Sequence, residues 1–152
     1  MVLDQIDVTI LREVQANAKV TFKELSEKVS LSATPIFERL KKLESAGYIK
    51  GYHAELNNHM LGYDLIVMCY VSLRSHEGDL IKKFQQDVVS LGEVLECYHI
   101  TGVYDYLLKI TVKDIEAYQK FLSERLATLG NIGNVQSNIV MNVLKTNAGL
   151  PI

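Results

Sequence analysis

The sequence predicts an α+β protein built from an N-terminal winged helix-turn-helix and a C-terminal ferredoxin-like βαββαβ sandwich. Two observations predict this fold class. Apolar residues recur at helical spacing as far as residue 46, whereas from residue 65 the order becomes strand, helix, strand, strand, helix, strand. Between these halves, the turn-forming sequence Asn-Asn-His-Met-Leu-Gly occupies residues 57–62. We therefore expect a domain of residues 1–56, a linker of residues 57–63 and a domain of residues 64–152.

Two helices are predicted first. One begins near Asp4, whose carboxylate suits the positive end of a helix dipole. The other begins at Thr21, because Thr21 and Glu24 have the spacing of a capping box. A turn around Ser30 and Leu31 follows. The apolar positions expected to pack these helices are Leu3, Ile6, Ile10, Leu11, Val14, Phe22, Leu25 and Val29.

A third helix, from Ser32 to Ala46, is marked at both ends. Ser32 is placed to cap it through its hydroxyl, and Pro35 falls in the first turn, where a missing N–H does no harm. Gly47 follows the last turn, where a left-handed residue is commonly needed. Its expected buried stripe is Ile36, Leu40 and Leu43, and the opposite face carries Thr34, Glu38, Lys41 and Ser45, with Lys42 and Phe37 beside them.

Three helices of this kind are typical of a helix-turn-helix, in which the exposed helix enters a DNA groove. After Gly47, residues 48–56 alternate loosely between apolar and polar side chains. This pattern indicates a wing or a linking strand, so we expect the winged variant of the motif.

The second domain is expected to be covered on only one side, since two helices cover one face of a four-stranded sheet. The first strand, residues 65–73, is apolar on both faces, and Val140 lies on a polar side of the last strand. A second copy of the chain is the simplest cover, so we expect a homodimer. The predicted elements are strands at 65–73, 94–101, 104–112 and 132–144, a tight turn at Gly102-Val103, and helices from about Asp79 to Gly92 and Asp114 to Leu129.

Composition limits the classes of function. No apolar run approaches the roughly 18 residues that span a membrane, and the N-terminus has no secretory pattern, so a cytoplasmic location is expected. Cys69 and Cys97 lie in apolar strand patterns without CxxC spacing, and the four histidines are scattered, so free thiols and no metal are expected. Because the net charge is −2, we expect any basic surface that contacts DNA to be small in each chain and to be repeated by oligomerisation.

Ordered motifs run through both halves. The first half contains Leu3-Asp4-x-x-Asp7-x-x-Ile10-Leu11, then Leu31-Ser32-x-Thr34-Pro35-Ile36-x-x-Arg39-Leu40-x-x-Leu43-Glu44-x-x-Gly47-x-Ile49, then Gly51-Tyr52. The second half contains Glu93-Val94-x-Glu96-Cys97-Tyr98-x-x-Thr101-Gly102-x-Tyr104-Asp105-Tyr106-Leu107-Leu108. In the order and separation of these motifs, the whole chain resembles the Lrp/AsnC family of bacterial and archaeal transcription regulators.

The resemblance implies a DNA-binding winged helix-turn-helix followed by a RAM domain, named for regulation of amino-acid metabolism. It also implies dimers that often assemble into octamers, a linking strand that pairs with its copy, and no cofactor besides an amino-acid effector held between RAM domains of neighbouring dimers. The residues that would form the two walls of this effector site are Thr101, Gly102, Tyr104 and Asp105 in the hairpin loop, and Val135 and Ser137 in the last strand.

The hairpin loop permits two interpretations. Gly102 lets a backbone approach closely, and the Asp105 carboxylate could pair with an α-ammonium group. Alternatively, Gly-x-Tyr-Asp is a plain hairpin turn in which Asp105 bonds its own backbone. The chain also departs from the family pattern, with Val103 in place of an acidic or amide residue, and with Val135 and Ser137 where many members have two threonines.

The third helix supplies the DNA-binding candidates. Family members often have a basic residue at position 38, whereas Glu38 here either accepts from a cytosine amine or, as we favour, pairs with Lys41 or Lys42. Arg39 lies near the buried stripe, so an ion pair with the first helix competes with a phosphate contact, while Phe37 suits a thymine methyl group. The candidates are Ser32, Thr34, Pro35, Phe37, Glu38, Arg39, Lys41 and Lys42.

The leading hypothesis is a sequence-specific transcriptional regulator that binds double-stranded DNA as a dimer or larger oligomer. One alternative is a small-molecule sensor whose helical half binds protein. Another is an enzyme on the ferredoxin-like fold, for which the polar cluster Tyr98, His99 and Asp105 is the sole sequence support, and no catalytic residues are predicted. The operator, the direction of regulation and the effector stay open.

Overall fold

The computed structural model describes residues 2–146 and 149–152 and contains two compact units. The helical unit comprises the residues up to Glu55 together with those from Lys145 onward, and the sandwich unit comprises Leu56–Leu144. In the helical unit, α1 (Gln5–Ala16), α2 (Phe22–Val29) and α3 (Ala33–Ser45) confirm the three predicted helices. Their core is formed by Ile10, Val14, Leu25, Ile36 and Leu43.

The N-terminus of α1 is held by a reciprocal cap and an ion pair. The Asp4 side chain accepts from the Asp7 N–H at 2.8 Å, and Asp7 Oδ2 accepts from the Asp4 N–H at 3.2 Å. From α3, Arg39 Nη1 donates to Asp4 Oδ2 and to Asp7 Oδ1, both at 2.7 Å. The Asp7 N–H, and then Arg39, holds the pKa of Asp4 below its ordinary value. These contacts tie α3 to the first turn of α1.

The expected hydroxyl cap of α3 was wrong. Ser32 occupies the N-cap position with an extended backbone, but its side chain makes no capping hydrogen bond. The third helical position, whose N–H such a hydroxyl commonly binds, is Pro35, which has none. The other predicted helix ends are confirmed. Thr21 and Glu24 form the predicted capping box of α2, and Gly47 adopts the left-handed φ of +78° after α3.

The strand expected at residues 48–56 is not formed by the described residues of one chain. A strand requires a backbone partner for its N–H and C=O groups, and this segment has no ladder with residues 2–146 or 149–152. It is tethered instead to α3, because the Tyr52 hydroxyl donates to Glu44 Oε1 at 2.7 Å. Burial, reinforced by Glu44, raises the pKa of Tyr52 to about 12.

The described C-terminal residues 149–152 lie against α1 rather than in the second domain, to which the sequence analysis assigned them. The Leu150 N–H donates to Gln15 Oε1 at 2.8 Å, and Gln15 Nε2 donates back to the Leu150 carbonyl at 2.9 Å. Arg12 Nε donates to the Ile152 carbonyl at 2.9 Å. The last residues therefore belong to the helical unit.

The sandwich unit has the predicted ferredoxin-like order, with an antiparallel sheet arranged β2-β3-β1-β4. The predicted strands at 94–101, 104–112 and 132–144 extend beyond the observed ones, because the chain leaves the sheet at the hairpin loop and after Ile139. The elements are β1 (Leu65–Leu73), α4 (Gly78–Val89), β2 (Val94–His99), β3 (Tyr106–Val112), α5 (Ile115–Glu124) and β4 (Ile132–Ile139).

The two faces of the sheet differ in burial. Val67, Cys69 and Val71 of β1 are fully buried and belong to the same core as Phe84 of α4 and Phe121 of α5. The alternate residues of β1 face the other way and are only partly buried, as are their β3 neighbours Leu107 and Lys109, whereas Thr111 opposite Ile66 is buried. This confirms that β1 is apolar on both faces: the outward residues include Ile66, Met68, Tyr70 and Leu107.

Both cysteines are free, Cys69 in the core and Cys97 half-buried, and burial raises the pKa of each thiol. Across residues 2–146 and 149–152, no helix has the length and apolar character needed to cross a membrane.

The ion pair of Arg39 generates a stability prediction. Replacing Asp7 by Asn preserves shape but removes the charge that faces Arg39, so we expect the helical unit to lose about 1–3 kcal/mol of unfolding free energy. Hydrogen exchange of the amides of α1 and α3 in the full chain measures this change. The control, Glu38→Gln on α3 beside Arg39, should change it by less than about 0.5 kcal/mol. Equal effects of the two substitutions would show that the ion pair does not stabilise the unit.

Candidate DNA-binding surface and effector loop

The outer face of α3 presents most of the predicted DNA-binding residues to solvent. Lys41 and Lys42 are exposed, and within the described part of the chain neither forms an ion pair. Their charges are therefore available to an anion such as a phosphate. The other exposed candidates are Ser32, Thr34, Phe37 and Glu38, whereas Pro35 and Arg39 are partly buried.

The predicted intrahelical pair of Glu38 was wrong. Glu38 contacts neither Lys41 nor Lys42 within salt-bridge distance among the residues the structure describes. Ion pairs between exposed side chains on one helix gain little over hydration, so the three charges stay separately solvated. Glu38 instead lines a cavity of about 380 Å³ together with Pro35, Arg39 and Lys42.

Of the two roles considered for Arg39, the structure shows the ion pair with the first helix. Its Nη1 already donates to two carboxylates of the α1 cap, and its pKa is raised, first by Asp7 and then by Asp4. A phosphate would have to compete with two anions 2.7 Å away. Arg39 thus ties α3 to the capped end of α1.

Phe37 has a partner that the sequence did not indicate. Its ring meets Phe22 of α2 edge to face, with centroids 6.0 Å apart and planes at 66°. Phe22 was assigned to the packed side of α2, yet it is 40% exposed, and Phe37 is 53% exposed. The pair closes the outer seam between α2 and α3 while leaving part of each ring accessible.

The hairpin loop is wider than the predicted turn at residues 102–103. The Ile100 N–H donates to the Asp105 carbonyl at 2.8 Å and encloses residues 101–104. Within it, Gly102 adopts φ +118°, a conformation that side chains with a Cβ rarely reach. Thr101 and Gly102 are exposed, and Tyr104 and Asp105 are partly buried.

The Asp105 carboxylate fastens the loop to the connection between β1 and α4. Its Oδ2 accepts from the Leu73 N–H at 2.7 Å, and its Oδ1 lies 2.8 Å from His76 Nε2. The Leu73 N–H, followed by His76, lowers the pKa of Asp105. The expected bond to its own backbone is therefore replaced by contacts 29 and 32 residues away.

Tyr104 joins two residues that sequence reasoning missed. Its ring packs on Tyr70 of β1 with centroids 5.5 Å apart, and its hydroxyl donates to Gln136 Oε1 at 2.7 Å. Tyr70 and Gln136 are directly opposed in the sheet, on the face away from the helices. Only the strand register, which the sequence does not display, could have placed them beside the loop.

Val135 and Ser137 point to the other side of the sheet. They oppose Val71 and Cys69, which are buried beneath the helices, so their side chains share that face. The Ser137 hydroxyl lies 2.6 Å from that of Tyr118. Burial raises the pKa of Tyr118 well above its ordinary value. Within one chain, the two predicted walls of the effector site do not meet.

The three polar residues considered for an enzyme are engaged with different partners. The Tyr98 hydroxyl donates to Glu96, whereas His99 stacks on Tyr106 with centroids 4.8 Å apart. Asp105 is engaged with Leu73 and His76. The three residues therefore have separate hydrogen-bond or stacking partners, although His99 is among the neighbours that lower the pKa of Asp105.

Models of known protein families match both halves of the chain. The family model described as the Lrp/AsnC ligand binding domain matches residues 66–150, and the one described as winged helix-turn-helix DNA-binding matches residues 3–50. The leucine-responsive regulatory proteins of Klebsiella pneumoniae and Escherichia coli K12 are each 39% identical over 150 residues, covering 99% of this chain and 92% of theirs.

Solved structures of similar proteins superpose on nearly the whole chain. A Neisseria meningitidis transcriptional regulator in complex with L-Met has a TM-score of 0.94 at 35% identity, covering 99% of this chain and 97% of the other. E. coli AsnC has a TM-score of 0.87 at 28% identity, with 96% and 97% covered. A feast or famine regulatory protein of Mycobacterium tuberculosis complexed with L-methionine has a TM-score of 0.86 at 26% identity, with 98% and 99% covered.

The contacts of Asp105 predict an acid-dependent change in the loop. Because its folded pKa is lowered, their stabilisation is fully present above the ordinary Asp value of about 3.9 and is lost as pH falls through the lower folded pKa. The NMR shift of the Leu73 amide proton should titrate with a midpoint below about 3.9. Asp105→Asn should abolish this titration, and His76→Gln should move the midpoint upward. A wild-type midpoint at or above the ordinary value would contradict the assignment.

Proposed function

Because the chain belongs to the Lrp/AsnC family of DNA-binding transcriptional regulators, we propose that it binds specific sites in double-stranded DNA through the outer face of α3. The observation that carries this proposal is the pair of exposed lysines, Lys41 and Lys42, which have no ion-pair partner among the described residues. Thr34 on the same face supplies a hydroxyl for base edges or phosphates, and Ser32 supplies another at the helix start.

The proposed DNA-binding form is a homodimer, in the cytoplasm. Two cations per chain make too few phosphate contacts for tight binding, and two α3 helices about one DNA turn apart double that number. The outward face of the sheet supports pairing because Met68 and Tyr70 of β1, with Leu107 of β3, form an apolar strip opposite the helices, flanked by polar residues such as Lys109 and Gln136. Assembly of four such dimers into an octamer belongs to the same proposal.

An amino acid is the proposed effector. Two structurally similar regulators were solved with L-methionine, and the leucine-responsive proteins are named for another aliphatic amino acid. In this chain, the hairpin loop and the pair Val135 and Ser137 lie on opposite sheet faces. We therefore place the effector between chains, where the loop of one copy can meet the last strand of another.

No catalytic role is part of this proposal. The family is one of transcriptional regulators rather than enzymes, and the residues considered for chemistry are engaged with different partners.

The lysine pair tests the DNA-binding face. Replacing Lys41 and Lys42 together by Ala removes two cations that would bind phosphates, so affinity for an operator fragment should fall about tenfold or more. The slope of log affinity against log salt should decrease by about 1 for each phosphate that the variant no longer binds. Electrophoretic mobility shift assays over a salt series measure both quantities.

The matched control is the double substitution Lys82→Ala and Lys83→Ala, another exposed lysine pair, on α4. It should leave affinity and slope unchanged. Undiminished DNA binding by the Lys41 and Lys42 variant would contradict the proposed face and favour a helical unit that binds protein.

Gly102 tests the effector loop. An alanine there is strained by about 1–3 kcal/mol at φ +118°, so binding of L-methionine or L-leucine should weaken at least about fivefold. Native mass spectrometry counts the chains and the bound amino acids in each particle, and even numbers of chains are expected. Gly78→Ala, where an added Cβ meets open space, should bind normally. Equal binding by both variants would remove the loop from the site, and a monomer would exclude the dimer.

A further inference from the structure

A carboxylate lies on the outer face of α3, among the cations proposed to bind phosphates. Glu38 lies one helical turn after Thr34. Lys41 and Lys42 follow Glu38 by one further turn, so the side chains of these residues share one face of the helix. Glu38 is exposed, as are its neighbours on this face. The surface proposed to meet DNA, which is a polyanion, therefore carries a negative charge close to its centre.

The charge of Glu38 is not offset by a cation within the described part of the chain. Lys41 and Lys42 both lie beyond salt-bridge distance of its carboxylate. Arg39 borders the same cavity as Glu38, but its Nη1 already donates to the two carboxylates at the start of α1. The carboxylate oxygens of Glu38 are therefore available to hydrogen-bond donors from outside the chain.

Few groups of a DNA duplex can satisfy such a carboxylate. Phosphates repel it, and the guanine O6 and N7 and thymine O4 atoms of the major groove are acceptors, which repel it as well. The donors in that groove are the amino groups of cytosine N4 and adenine N6. Adenine also presents the acceptor N7 beside its amino group, whereas cytosine presents the donor alone. Cytosine is therefore the base whose edge best matches a carboxylate.

The position of Glu38 along α3 suits a contact with bases. The helix begins at Ala33, so Glu38 lies in its second turn. In a helix-turn-helix, the recognition helix lies in the major groove, and its N-terminal residues contact base edges. Lys41 and Lys42 lie one turn further along, and their cations suit phosphates. Glu38 is thus nearer than the lysines to the end of the helix that contacts bases.

We infer, on the basis of the proposed DNA binding by α3, that Glu38 is a specificity-determining residue. It accepts a hydrogen bond from the N4 amino group of a cytosine at one position of each half-site. Lys41 and Lys42 attract phosphates at any sequence, whereas Glu38 repels the duplex where this amino group is missing. The carboxylate therefore lowers affinity for other sequences and preserves affinity for the matching one.

Selection of bound duplexes from a random pool by the full chain tests the inference without a known operator. The wild-type chain should enrich cytosine at one position of each half-site. Glu38→Gln should change that preference to adenine, because a side-chain amide pairs with both N6 and N7 of adenine. Glu38→Ala should leave the position without a preference. The other positions of the selected site should be the same for the three chains.

Electrophoretic mobility shift assays on the selected site measure the size of the effect. Replacing the cytosine by thymine should weaken binding of the wild-type chain by about fivefold or more in each half-site. The same replacement should change binding of the Glu38→Ala chain by less than about twofold. The control Glu116→Gln, which removes an exposed carboxylate from the first turn of α5, should behave as the wild type does.

The outcomes separate this inference from the proposed function. A selected site without a preference for cytosine would overturn the inference and leave sequence-specific binding intact. A cytosine preference that Glu38→Ala retains would do the same, provided that hydrogen exchange of α1 and α3 shows the variant to be folded as the wild type is. If the wild-type chain enriches no sequence, the proposed function and the inference are both overturned.

Discussion

The constraint on which the sandwich unit depends is that its central strand β1 is apolar on both faces while the helices lie on only one. Val67, Cys69 and Val71 complete the core on the helix side. The alternate side chains, including Met68 and Tyr70, are left on an outward face that is only partly buried. The same alternation places Tyr104 and Gln136 on one side and Ser137 on the other, so it also separates the two predicted walls of the effector site.

In the helical unit, the contacts of one guanidinium determine which basic side chains of α3 are left exposed. Arg39 reaches from α3 to the capped end of α1, where it meets Asp4 and Asp7. This contact turns Arg39 inward and leaves Lys41 and Lys42 directed to solvent. The basic character of α3 thus resides in two side chains, which is consistent with a chain whose net charge is −2.

Patterns among neighbouring residues in the sequence were sufficient to predict most of the fold. The capping box at Thr21, the glycine after α3 and the bounds of β1 all follow from neighbouring residues. Pairings between distant residues were not predictable in this way. The Asp105 carboxylate binds Leu73 and His76, and Tyr104 binds Gln136, because the sheet register brings them together. The absent hydroxyl cap at Ser32 was foreseeable in principle, since Pro35 visibly lacks the donor.

The contact of residues 149–152 with α1 has a consequence for the order of folding. The hydrogen bonds of Arg12 and Gln15 to this tail join residues 140 and 135 positions apart. Such contacts close the longest loops in the chain, so they form late relative to the local helices. During synthesis, the first helices leave the ribosome well before their C-terminal partners exist. The helical unit, although most of it precedes the sandwich in the sequence, therefore gains these contacts only after the residues of the sandwich have been synthesised.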